Sequence, residues 1–146
     1  HIIDYMTLCQ KRISHISSYM LSYELRENAL RSNDNDYEWR YTMKVLHITA
    51  QPCTVELLDI SDRLENYQQL VDGYIEIVHA AVLQPFHAVM VVNECGLLDD
   101  LPCNHLASVL YGDYIAGDVV VVGTIGPDFT DIPDELTVLL SGIGGK

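Results

Sequence analysis

Cys95, Cys103 and His105 lie near one another along the chain, with His79 and His87 just upstream, and these side-chain types ligate transition metals. Zinc sites present close pairs such as Cys-x-x-Cys, because one tight turn must bring two ligands to tetrahedral distance. The seven residues between Cys95 and Cys103 do not supply that spacing, so no metal is expected. The stretch from Asp99-Asp100 to Asn104 also lacks the alternating oxygen ligands, central glycine and distal glutamate of a calcium loop. Cys103 and His105 are two apart, which on a strand places both on one face, where a thiolate pair would form. The plainer reading is two loop residues. No glycine-flanked serine elbow exists, and Ser108 and Ser141 have no suitable neighbours. Gly112-Asp113 and Gly123-Thr124-Ile125-Gly126-Pro127 lack the lysine or helix start of a phosphate cradle, and no cofactor is expected.

One polar cluster stands apart. Asn93-Glu94-Cys95-Gly96 follows an apolar strand pattern directly and opens a loop that ends Leu101-Pro102-Cys103-Asn104. Asn93, Glu94 and Asn104 can hydrogen-bond the loop backbone and hold its shape, as short polar side chains commonly do in turns. Their functional reading is a polar pocket shared with Tyr74, Glu76 and Asp118. These six residues form the candidate ligand or partner site.

Charge narrows the partner. The chain has 146 residues, a net charge of −13 and 49% hydrophobic residues, enough for one core. Its cations are Lys11, Arg12, Arg26, Arg31, Arg40, Lys44, Arg63 and Lys146, so none lies between Leu64 and Gly145. That stretch carries twelve acids, with Asp99, Asp100 and Asp113 as the expected acidic surface. Such a surface repels phosphate backbones, because nucleic-acid affinity rests on Lys and Arg displacing counterions. It attracts a protein partner with a basic surface. The longest strongly apolar run, Val119 to Val122, is too short to cross a bilayer, and no signal-peptide pattern opens the chain. Cys9, Cys53, Cys95 and Cys103 are therefore expected as reduced thiols in a cytoplasm.

The elements that must position these residues follow from periodicity. Ile2, Met6, Cys9, Ile13, Ile16, Met20 and Tyr23 recur at helical steps, predicting an amphipathic helix within residues 1–30. Its seam can pack on the chain's own sheet or serve a homodimer. Residues 31–42 form a polar linker, and 43–146 an acidic α+β domain. There, Lys44–Thr49 and Thr54–Asp59 predict a hairpin, followed by a helix capped by Ser61 or Asp62 and ended by Asp72-Gly73. Strands are expected at Tyr74–Val78, with Tyr74 and Glu76 facing out, at His87–Asn93 and at Tyr114–Thr124, the last interrupted at Gly117-Asp118. The segment Val119–Val122 is apolar on both faces and predicts a central, doubly covered strand. Pro133–Leu140 predicts a closing helix. The expected fold is a single α+β domain with a mixed or antiparallel sheet of about five strands and one internal helix.

The ordered set Asp72-Gly73-Tyr74-Ile75-Glu76, Val92-Asn93-Glu94-Cys95-Gly96, Leu101-Pro102-Cys103-Asn104, Ile115-Ala116-Gly117-Asp118 and Val122-Gly123 resembles domain-of-unknown-function family 3846. Members tend to show Gly-Gly-Tyr-Ile-Glu, Asn-Glu-x-Gly, Leu-Pro-x-Asn and Ile-x-Gly segments in that order. The resemblance runs from about Met43 to Glu135, with Asp72 standing where the first family glycine usually is. It implies an uncharacterised protein of bacteria and their phages and plasmids, with no assigned chemistry. Together with the charge, it implies a non-enzymatic binding or regulatory module of a mobile element. The alternative is a small-molecule-binding or sequestering protein, with an enzyme using Cys103 and His105 as a distant third.

Overall fold

The computed structural model describes residues 42–144. The helix, linker and dimer contact expected over 1–41 lie outside them. From Thr42 onward, alternation settles into a hairpin. Strand β1 (Thr42–Thr49) pairs antiparallel with β2 (Thr54–Ser61), from Thr42 opposite Ser61 to Thr49 opposite Thr54. Helix α1 (Leu64–Val71) follows, then β3 (Ile75–Val78), a 3₁₀ helix (Ala81–Phe86), and β4 (Ala88–Asn93). Helix α2 (His105–Tyr111), β5 (Val119–Ile125), β6 (Asp128–Thr130) and α3 (Asp134–Gly144) complete the described chain.

The strands form one six-stranded sheet in the order β2-β1-β5-β4-β3, with β6 paired to β5. Every pairing is antiparallel, so the expectation of a mixed or antiparallel sheet of about five strands is corrected to six antiparallel strands. The sixth escapes periodicity because β6 is three residues long. As expected, β5 is central, and Val119, Val120, Val121 and Val122 are all fully buried. Alternate side chains feed two cores. Val45, Val89, Val91, Val120 and Val122 meet Tyr67 and Val71 of α1, while Leu46, Ile48, Met90, Val119 and Val121 meet Leu106 of α2 and Leu136 and Leu140 of α3. Each such side chain taken from water contributes about 1.5–3 kcal/mol, which is what fixes the register.

The one expected internal helix becomes two α-helices and a 3₁₀ turn, besides the closing helix. Gln84-Pro85 falls between β3 and β4, inside the 3₁₀ helix, whose tight turns tolerate the proline. Helix α1 is not capped by Ser61 or Asp62. Its N-cap is Arg63, without a side-chain bond, and Ser61 is engaged by Asn66, whose amide reaches its carbonyl at 2.8 Å and hydroxyl at 2.7 Å. Asp72, not Gly73, takes the left-handed conformation after α1, at φ 61°. Gly73 answers a different demand, since a Cβ there would lie 2.7 Å from the Asn93 amide nitrogen. The strand expected from Tyr114 begins only at Val119, after a single bridge between Cys103 and Ala116 and a bend at Gly117. No helix among the described residues is long and apolar enough to cross a membrane.

Candidate functional site

The ladder that pairs β3 with β4 places Ile75 opposite Asn93 and Glu76 opposite Val92. Because side chains alternate, Glu76 shares a sheet face with Val78, Val92 and the residue after β4, Glu94. That is the face covered by α2 and α3 farther along the sheet. Glu76 therefore does not point into open solvent as expected; it is half-buried, because both faces of this sheet are covered.

Past β4 the chain turns under the control of Asn93. Its side-chain nitrogen donates to the carbonyls of Val71 and Asp72, both at 3.0 Å, and its oxygen accepts from the Cys95 N–H at 2.7 Å. One amide thus binds the end of α1 to the start of the loop. Glu94 donates its backbone N–H to the Tyr74 carbonyl at 2.9 Å, and the loop closes on itself through Leu101 N–H to Gly96 carbonyl at 3.0 Å. Gly96 passes so close to the 115–117 segment that a Cβ would sit 2.6 Å from the Ala116 carbonyl oxygen.

Asn104 secures the far end. It is fully buried, donates to the carbonyls of Ile48 at 2.9 Å and Gly117 at 3.0 Å, and accepts from the Ala107 N–H at 3.1 Å as the N-cap of α2. Its own N–H reaches the Ile115 carbonyl at 2.8 Å. Asn93 and Asn104 thus serve the loop's architecture, as their structural reading expected.

Between these anchors lies an open cleft of about 380 Å³. Glu76, Val78, Val92 and Asn93 of the strands and the following Glu94 line it, together with Gly96, Leu97 and Leu98 of the loop and with Tyr111, Tyr114, Ile115 and Ala116. Glu94 is 8% exposed, whereas Leu97 is 69% exposed and Tyr114 half exposed. Loss of hydration raises the Tyr114 phenol above its ordinary pKa, with the Cys103 thiol and the Asp100 carboxylate adding to the rise. Asp113 accepts the Tyr114 N–H at 2.7 Å, and Asp99, Asp100 and Asp113 are all exposed.

Of the six candidate residues, Glu76, Asn93 and Glu94 line this cleft, and Tyr74, Asn104 and Asp118 do not. Asp118 holds the hairpin turn, accepting the Ala50 N–H at 2.8 Å, with its other oxygen 4.0 Å from His47 Nε2. That His47 nitrogen lies 3.0 Å from the Leu70 carbonyl. The lining residues that sequence reasoning missed are Leu97, Leu98, Tyr111 and Tyr114. Their signal was a pair of leucines inside an acidic loop and two tyrosines astride Gly112-Asp113, large side chains that no strand or helix period buries.

The chemistry-bearing residues are dispersed. His105 opens α2 rather than following Cys103 along a strand, and the Cys103 sulfur lies 3.9 Å from the Ser108 hydroxyl. Cys53 and Cys103 are free thiols, but Cys95 is disulfide-bonded, which corrects the expectation of four reduced cysteines. Among the described residues, no group of three or more His, Cys, Asp or Glu is placed to hold a metal ion.

No curated protein matches this chain. A solved structure with some likeness is the crystal structure of small RNA methyltransferase HEN1, at 17% identity and a TM-score of 0.43, covering 66% of this chain. The chain spans only 14% of that protein's length. The family model described as "Domain of unknown function (DUF3846)" matches residues 43–141, and the chain belongs to that family.

Proposed function

We propose that this protein is a non-enzymatic binding or regulatory module that engages a basic protein partner through its acidic surface. The observation behind this reading is the cleft itself. Two carboxylates, Glu76 and Glu94, share one concavity with two tyrosines on a stretch of chain that has no Lys or Arg from Leu64 to Gly145. Asp99 and Asp113 sit next in the chain to lining residues, with Asp100 one place further on, and all three add to the field. Exposed Leu97, Leu98, Tyr111 and Tyr114 supply the apolar and aromatic contact area that protein interfaces favour at their centres. The bacterial cytoplasm and the mobile-element setting come with this reading from the family resemblance alone.

A triple reversal, Asp99→Lys, Asp100→Lys and Asp113→Lys, tests it without touching the cleft lining. Binding of the full chain to a fluorescent oligo-lysine peptide is expected to weaken by roughly tenfold, about 1.4 kcal/mol. Unchanged anisotropy curves would remove the basis of the reading. The cleft volume also falls in the range of small-molecule sites, which favours the sequestering alternative. A thermal-shift screen of nucleotides and metabolites decides that point, and a flat response across it counts against a small ligand.

A further inference from the structure

We infer that the chain's own residues 2–23 are the second cover on the α1 side of the sheet, tied there by a disulfide between Cys9 and Cys95. Two independent observations meet in this assignment. The first is how much of that side is buried. Val45, Val89, Val91, Val120 and Val122 are each 3% exposed or less, yet α1 is the only helix that meets them among the described residues. Five strands side by side span about 19 Å at the usual spacing. A helix of eight residues is about 12 Å long and about 10 Å across. One such helix, presenting Tyr67 and Val71 with Leu64 and Leu70, does not keep water from the whole face. The second observation is the bond at Cys95. Cys53 and Cys103 are free thiols, so of the chain's four cysteines only Cys9 is left to bridge it. Cys95 lies at the α1 end of the sheet, since its N–H donates at 2.7 Å to the Asn93 amide that also reaches the Val71 carbonyl at 3.0 Å. A disulfide holds two Cα atoms within about 7 Å, which brings residue 9 to this same place. Cys9 belongs to the apolar seam of Ile2, Met6, Ile13, Ile16 and Met20, so a bond through it turns the seam toward the valines. From Cys9 to Thr42 the chain reaches about 50 Å even if wholly helical, which suffices to enter β1 within one molecule. The cleft takes Glu76, Val78 and Val92 from the opposite side, so the assignment does not depend on what the cleft binds.

The test starts from the full chain, digested without reductant by trypsin and then by a protease that cuts after acidic residues. Mass spectrometry should find residues 5–11 joined to residues 95–99, and a phosphine reductant should split the pair. Residues 95–99 found free, joined to Cys53 or Cys103, or joined to a second copy of themselves would overturn the inference. Nuclear Overhauser contacts in the intact protein then locate the cover. Methyl groups of Ile13, Ile16 and Met20 are expected to reach those of Val89 and Val91 on the α1 side, and not those of Leu136 and Leu140 on the other. The reverse pattern, or no contact between the segment and the sheet, overturns the cover even with the bond in place. Cys9→Ser removes the bond and should lower the Tm by about 8 °C or more. Ser14→Asp, off the seam, should leave it within about 4 °C. Equal shifts in the two variants would overturn the bond's part in holding the segment.

Discussion

Replacing Asn104 by alanine removes three hydrogen bonds at a site with no solvent exposure. The Ala107 N–H at the start of α2 loses its capping acceptor, which costs about 1 kcal/mol. The carbonyls of Ile48 and Gly117 each lose a buried donor, and an acceptor stranded away from water costs about 1 kcal/mol at the low end. Summed, the loss is about 3 kcal/mol, a large share of the roughly 5–15 kcal/mol that holds a domain of this size. The melting temperature should fall by about 12–24 °C, since each kcal/mol moves a domain of some 100 residues by about 4–8 °C. Urea unfolding followed by circular dichroism measures the loss directly, as a lower midpoint at an unchanged slope. Asn104→Asp sharpens the test. It keeps the capping oxygen but turns a carboxylate oxygen toward two carbonyl oxygens, so burial and like partial charges raise that carboxyl's pKa in the folded state. A group whose folded pKa is raised is most favourable below its unfolded pKa and loses stability as pH rises through the folded one. The aspartate variant should therefore be weak at neutral pH and recover in mild acid, whereas the alanine variant should show no such recovery. An alanine variant that loses less than about 1 kcal/mol would refute the assignment of Asn104 as the loop's anchor.

Other outcomes follow from single contacts. Asp72→Gly relieves a left-handed residue at the end of α1 and should stabilise the fold by about 0.5–1 kcal/mol, seen as a higher urea midpoint. Gly96→Ala forces a methyl against the Ala116 carbonyl oxygen and should destabilise by about 1–3 kcal/mol, with loss of peptide binding at temperatures where the protein stays folded. Tyr114 should ionise later than an ordinary phenol in an ultraviolet titration, and Cys103→Ala should bring part of that shift back. Because the raised pKa disfavours the phenolate in the folded state, stability should decline as pH rises past the ordinary tyrosine value, and Tyr114→Phe should abolish that share of the decline.

Most of the sheet was legible because its signal is periodic. Lys44–Thr49 alternates as a hairpin strand does, and Val119–Val122 is apolar on both faces, which only a strand covered on both sides can bury. Helix α2 was not legible by the same method, since of its seven residues only Leu106 and Ala107 are buried. Its markers were local instead: Asn104 as N-cap and Gly112 in the left-handed conformation after Tyr111. Reading Cys103 and His105 as loop residues hid that start. The site was half legible. Asn93 and Glu94 stood out by type, but Leu97 and Tyr111 are ordinary core residues by type, and the folded loop shows that they stay partly or largely exposed. Asp118 lies away from the cleft, where a carboxylate beside a hairpin turn accepts a backbone N–H.

The two asparagines that pin the 94–103 loop at its ends have a kinetic consequence. A wall tied to α1, β1 and the 115–117 segment by buried hydrogen bonds has no hinge, and opening it would break bonds that hold the domain together. For the proposed partner the cleft would then be preformed, and association would need no conformational step to wait for. Encounter with the proposed partner would then be governed by diffusion and by the long-range pull of a surface on which carboxylates far outnumber cations, a regime in which on-rates climb steeply as ionic strength falls. Differences in affinity among partners would be written in how long each stays, not in how fast it arrives.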